Sequence, residues 1–230
     1  MVLILTLNGG TGSAVARGLE KLNINAVCRS ERSQIGELSQ YEALFFSGDF
    51  AAGSAMCAEL AKRLCNECAV SEIPVIFDPT LSLLKSESHA LINELAALCE
   101  IFVPADEDGE ALCGLNDPEK IAKHFLEMGA KKVVVTLDKK GAYYKSSKES
   151  GCAPTFRADT VVDTTGAGNA FSAGLISGII EDIPLAEAVV RANACGCIAI
   201  QKQGEYFPDT SELREYMLSH RFAVDGCKDF

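Results

Sequence analysis

The sequence predicts an α/β fold built on a mostly parallel sheet. Short apolar runs alternate with amphipathic stretches of helical period along most of the chain. Their order, strand then helix repeated, is the order of a parallel sheet with crossover helices. At 230 residues and 48% hydrophobic content, the chain can bury a sizeable core without metal or disulfide staples.

The first run, residues 2–7, reads Val-Leu-Ile-Leu-Thr-Leu. No basic residue precedes it, so it is expected as a buried strand and not as a signal peptide. An amphipathic helix follows at 11–22, then a short strand at 26–28 and a longer one at 43–47. A helix at 54–68, a strand at 74–77, a helix at 87–98 and a strand at 101–103 continue the pattern. A helix at 118–128 leads to a strand at 132–137. Gly141-Ala142-Tyr143-Tyr144 then reads as a return strand, with Asp138-Lys139-Lys140 as the turn. A short strand at 161–163 is expected to meet a glycine turn and the apolar helix 170–180. Helical patterns at 185–201 and 209–219 follow. No repeat, low-complexity tract or linker interrupts the chain, so residues 1–230 are expected to form one domain. Right-handed crossovers place helices on both sheet faces, and ligands bind outside the carboxyl ends of the strands. The loops at 8–12, 47–53, 78–79 and 104–108 are expected there.

Composition narrows the partners. The net charge is −11, and the pairs Lys131-Lys132 and Lys139-Lys140 read as solvated strand ends. Such a surface repels nucleic acid and anionic lipid, so neither is an expected partner. No apolar run approaches the roughly 20 residues that span a bilayer. Of the ten cysteines, Cys65 and Cys68 form a CxxC late in a helical pattern, with no further ligands to complete a zinc site. They and Cys195 and Cys197 read as small core residues of a reduced, cytoplasmic protein. His89, His124 and His220 are scattered and read as surface positions.

The segment from Asp163 to Asn169 carries the chemistry. Glycines allow a tight turn and close backbone approach to a ligand. The helix start beyond them presents unpaired N–H groups and partial positive charge, which suit phosphate or a developing oxyanion.

Asp-Thr-Thr-Gly-Ala-Gly-Asn-Ala-Phe, followed by Ser172-Ala173-Gly174, resembles the signature of the ribokinase (PfkB) carbohydrate kinase family. Gly9-Gly10 with the stretch 15–22 resembles its sugar-site motif. Phe46-Ser47-Gly48-Asp49 and Phe77-Asp78-Pro79 resemble its central strand ends. Val103-Pro104 through Gly114 resembles the segment of its metal-linked Asn-x-x-Glu, and Val134 through Tyr143 its nucleotide strand and turn. Ala192-Asn193-Ala194 and Gln203-Gly204 resemble its adenine-side helix and exit.

The resemblance implies a three-layer α/β/α fold and transfer of the ATP γ-phosphoryl group to a sugar-like hydroxyl. Gly166, Ala167 and Gly168 would form the anion hole, and position 169 would hold the catalytic base. Thr136, Asp138, Gly141, Thr164, Asn193 and Gly204 would bind nucleotide, and Gly9, Gly10 and position 14 the sugar. Asp108 would bind Mg2+, and the family resemblance also allows a monovalent cation.

Several positions depart from the family. The base position is Asn169, and an amide cannot take a proton at neutral pH. The metal-linked Asn falls on Ala105, the Glu on Asp108, and the sugar-contacting Asn on Ala14. Only residues 23–42 separate the first helix from the next core strand, too few for the family's lid sheet. Activity is therefore expected to be weak or lost, leaving a nucleotide- or sugar-binding pseudokinase as the alternative. A dehydrogenase reading rests on Gly10-Thr11-Gly12 and on Tyr144-x-x-x-Lys148. It fails at Val15, where the third glycine belongs, and at Tyr144, which follows a strand and precedes Ser146, Ser147 and Gly151, read as a loop and not as a helix shared with Lys148.

Overall fold

The computed structural model describes residues 1–7, 9–80 and 88–223. Strand β1 (Val2–Leu5) is buried throughout. Helix α1 (Thr11–Lys21) leads to β2 (Ala26–Arg29), which pairs parallel with β1. The chain then crosses to the other side of β1 and forms β3 (Ala43–Ser47), also parallel, in the register Val2↔Ala43. A short turn of helix, α2 (Gly48–Ala51), precedes α3 (Ala55–Val70). Ser54 caps α3, accepting a hydrogen bond from the Cys57 N–H at 3.1 Å.

Strand β4 (Val75–Asp78), helix α4 (His89–Ala96), strand β5 (Ile101–Phe102), helices α5 (Asp106–Cys113) and α6 (Pro118–Met128) and strand β6 (Lys132–Thr136) extend the parallel order. Strands β7 (Ala142–Ser146) and β8 (Ser150–Ala153) then fold back antiparallel at the edge. The strand order is β2-β1-β3-β4-β5-β6-β7-β8, so the connections reverse direction between β1 and β3. Helices α7 (Ala167–Ile180), α8 (Leu185–Ala199) and α9 (Thr210–Ser219) complete the described chain.

Alternation along the strands builds the layers. Leu3, Leu5, Leu44, Phe46, Phe77 and Phe102 pack with residues of α3, α4 and α6. Val2, Ile4, Phe45, Ile76 and Val134 pack with residues of α1, α7 and α8 on the opposite face. On the first face, aromatic rings step from strand to strand and onto α6. The centroid separations are 4.6 Å for Phe46–Phe77, 5.5 Å for Phe77–Phe102 and 4.6 Å for Phe102–Phe125.

Three expectations change. The stretch 161–163 forms no strand; the N–H groups of Val162 and Asp163 bond to the Ile200 carbonyl beyond α8 instead of to a strand edge. Helix α7 begins at Ala167, three residues before the expected start, so Gly168 and Asn169 lie in its first turn. Strand β8 carries no apolar pattern and forms by pairing with β7, Tyr143 opposite Cys152. Residue Asn8, the expected helix start at Glu87 and the tail beyond Ala223 lie outside the described residues.

Between α1 and β3 lie only β2 and two single-turn 3-10 helices, Arg32–Gln34 and Leu38–Gln40. Among the described residues every named strand belongs to the one sheet, and no second, lid-like sheet is present. No described helix is long and apolar enough to cross a membrane. Burial pushes the Cys65 thiol up to about 12 and Cys68 to about 11, so both stay protonated near neutral pH. Eight described cysteines are free.

Candidate active site

A cleft of about 770 Å³ opens at the carboxyl ends of β5 and β6. Thr136, Asp138 and Gly141 form one wall, and Asn193, Gly196, Cys197 and Ile200 of α8 and its end form another. Ala167 and Gly168, at the start of α7, face the same space. The hairpin turn is held by the Leu137 N–H on the Gly141 carbonyl at 2.8 Å. Gly141 has φ +102, a backbone state in which side chains are strained.

The α7 start is organised from both sides. Gly166 has φ +81 and precedes the first helical residue. The Ala167 N–H bonds to the Thr164 carbonyl at 3.2 Å and the Thr165 N–H to Asp163 Oδ1 at 2.9 Å. Asp163 Oδ2 accepts from the Gly204 N–H at 2.9 Å and from Gln203 Nε2 at 3.0 Å. Hydrogen bonds from Thr165 first, and then from the Gly204 N–H, hold the Asp163 carboxyl below its ordinary value. The N–H groups of Gly168 and Asn169 have no acceptor among the described residues, and a Cβ built on Gly168 would meet nothing within 4 Å. An open helix N-terminus of this kind accommodates an anion.

The sequence-based residues do not all gather at the cleft. Thr136, Asp138, Gly141, Thr164 and Asn193 line it, but Gly204 does not; its N–H is taken by Asp163. Asn193 is 5% exposed, and its Nδ2 donates to the Ala153 carbonyl at 2.8 Å and the Pro154 carbonyl at 3.3 Å. It fastens the exit of β8 to α8. Ala14 is 4% exposed and belongs to the buried cluster that contains Ala170, so it packs the α1 side of the core. Tyr144 lies in β7 and Lys148 in the turn beyond it, so they share no helix face.

The sugar-side glycines lie at the reversal point of the sheet. The Thr11 N–H donates to Asp49 Oδ2 at 3.1 Å, and Ser47 Oγ donates to Asp49 Oδ1. A Cβ on Gly10 would stand 2.7 Å from that Oδ2, so Asp49 closes directly on the loop. Asp49 was legible only as part of a strand-end motif; its bond to the α1 start comes from the fold.

Asp78, at the end of β4, accepts from the Thr80 N–H at 3.0 Å and from Ser172 Oγ of α7 at 3.2 Å. Burial first, then the charge of Asp108 and a smaller effect of Asp49, push its carboxyl up to about 7. The folded chain therefore keeps a proton that the unfolded chain loses near pH 4. Stability contributed at this position is present below about pH 4 and lost as pH rises to about 7. Asp78→Asn is expected to flatten this slope and to gain about 1–4 kcal/mol at pH 8 in metal-free buffer. Denaturant titration at pH 5 and pH 8 checks it; equal slopes in both proteins would remove the assignment.

The same repulsion bears on metal binding. Mg2+ takes one or two carboxylates together with water and substrate phosphates. Asp108 with Asp78 fits that donor set, while Ala105 supplies no side-chain ligand. Among the described residues no group of three or more His, Cys, Asp or Glu side chains could hold an ion without such additional ligands.

An open, largely parallel sheet with a helix N-terminus facing a cleft at its carboxyl edge defines the doubly wound class of α/β proteins. Within that class, this chain belongs to the pfkB family of carbohydrate kinases, whose model matches residues 21–212. It is 34% identical over 174 residues to the 2-dehydro-3-deoxygluconokinase of Bacillus subtilis, covering 73% of this chain and 54% of that enzyme. It is also 34% identical over 205 residues to the aminoimidazole riboside kinase of Salmonella typhimurium, covering 80% of this chain and 60% of the relative. The chain thus spans little more than half the length of these relatives. An E. coli structure described as a ribokinase II with ATP and Mg2+ superposes with TM-score 0.81 at 16% identity. That alignment covers 94% of this chain and 98% of the other and shows the shared fold.

Proposed function

We propose that residues 1–230 act as one domain that transfers the γ-phosphoryl group of ATP to a hydroxyl of a sugar or sugar-like molecule. The observation that carries this reading is the unpaired α7 start facing the cleft between the β6–β7 turn and α8. The adenosine moiety occupies the cleft between Thr136–Gly141 and α8. The phosphates run toward Gly168, and the acceptor lies near Gly9 and Gly10. Gly166, Ala167 and Gly168 stabilise charge on the transferred group through backbone dipoles, which carry much of the catalysis in phosphoryl transfer. Mg2+, held by Asp108 with Asp78, would neutralise phosphate charge. The proposed location is the cytoplasm, supported by the eight free thiols.

Asn169 and the buried Ala14 favour a second reading, a pseudokinase that binds nucleotide without turnover. Loss of a general base costs about 10²–10⁴-fold in rate. Calorimetric titration with ATP, ADP and NAD, joined to ATP turnover on a panel of sugars and nucleosides, separates the readings. ATP and ADP are expected to bind, with turnover on at least one acceptor. Binding without turnover would establish the pseudokinase, and NAD binding without ATP binding would overturn both.

A further inference from the structure

We infer that Glu205 is the carboxylate that takes the acceptor proton in place of position 169. The inference rests on the kinase reading and addresses the group that reading lacks. Asn169 Nδ2 donates to Glu205 Oε1 at 3.0 Å, across 36 residues of sequence. Glu205 also packs against the anion turn: a Cβ on Gly166 would stand 2.7 Å from Glu205 Cγ and 3.3 Å from its Cα. A carboxylate therefore stands directly beside the side chain at 169.

Its surroundings hold it there. Arg17 of α1 pairs with Oε2, and Arg17 Nη1 itself donates to the Ser13 carbonyl at 3.2 Å. The Glu205 side chain is 27% exposed. A carboxylate oxygen has two acceptor positions, so Oε1 keeps one after accepting from Asn169. Asn169 orients the carboxylate through its amide, and Glu205 supplies the basicity the amide lacks. In the transfer, the acceptor oxygen bonds to the γ-phosphorus and the bond from that phosphorus to the bridging oxygen breaks. ADP leaves with the electron pair, and the hydroxyl proton passes to Glu205 and then to water.

The full chain is assayed for phosphoryl transfer from ATP to the sugar and nucleoside panel, with ATP affinity measured separately by calorimetry. Glu205→Gln keeps the shape and an acceptor for Asn169 but removes the base. It is expected to lower turnover about 10²–10⁴-fold, with ATP affinity and melting temperature unchanged. Adding Asn169→Asp to Glu205→Gln is expected to restore turnover to within about tenfold of the parent, since it returns a carboxylate to the same place. Turnover of Glu205→Gln within about threefold of the parent would overturn the inference. So would a parent that binds ATP but phosphorylates no acceptor, or a double variant that stays inactive. Failure of the parent to bind ATP would count against the kinase reading itself, a separate result.

Discussion

Gly141→Ala is expected to destabilise the protein by about 3–5 kcal/mol, through backbone strain and overpacking together. Gly141 stands at φ +102 between Lys140 and β7. A Cβ there would lie 2.2 Å from the Ala153 carbonyl oxygen and 2.6 Å from the Thr155 nitrogen. Both are backbone atoms at the exit of β8, and that exit is tied to α8 by Asn193. The chain cannot move one without moving the other. Relief would open the hairpin turn and the wall of the cleft, so ATP binding is expected to weaken along with stability. Thermal and urea unfolding measure the first effect. A melting temperature within 2 °C of the parent would mean that the turn yields far more easily than its packing implies, since 1 kcal/mol shifts a domain of this size by about 2–4 °C.

Gly196→Leu is expected to separate binding from stability. Gly196 lies inside α8 and lines the cleft, and a Cβ there would meet only the Ala167 carbonyl oxygen at 3.4 Å and Phe171 Cβ at 3.9 Å. A first side-chain carbon is therefore accommodated at contact distance from the start of α7, and a leucine at this cleft-lining position is expected to take up space that a ligand would use. Replacing glycine within a helix gains up to about 1 kcal/mol in propensity, so melting should hold steady or rise. ATP affinity should fall about 100-fold or more, or about 2.8 kcal/mol at 1.4 kcal/mol per factor of ten. Unchanged calorimetric affinity would place the nucleotide elsewhere.

Residues that act through local pattern were legible in the sequence. The apolar run of β1, the strand at 43–47 and the glycine turn before α7 each carry their signal within a few residues. Strand β8, Ser-Gly-Cys-Ala, carries none and owes its state to β7. The site divides the same way. A glycine turn leading into a helix was readable because both are local facts, although the helix takes in Ala167 and Gly168 and so starts three residues earlier than expected. The partnership of Asn169 with Glu205 was not, because it joins α7 to the loop beyond α8. Asn193 shows the converse: its place in a helix motif was readable, but only the fold shows its amide bonded to Ala153 and Pro154. The charge that Asp108 exerts on Asp78 likewise depends on the fold bringing residues of β4 and α5, 30 positions apart in sequence, near each other.

A crystal structure of the full chain with a non-hydrolysable ATP analogue tests the central claim most directly. The account predicts base and ribose between the Thr136–Gly141 turn and α8, with a terminal phosphate oxygen accepting from the Gly168 N–H. An analogue bound elsewhere, with the α7 start empty at saturating concentration, would contradict it.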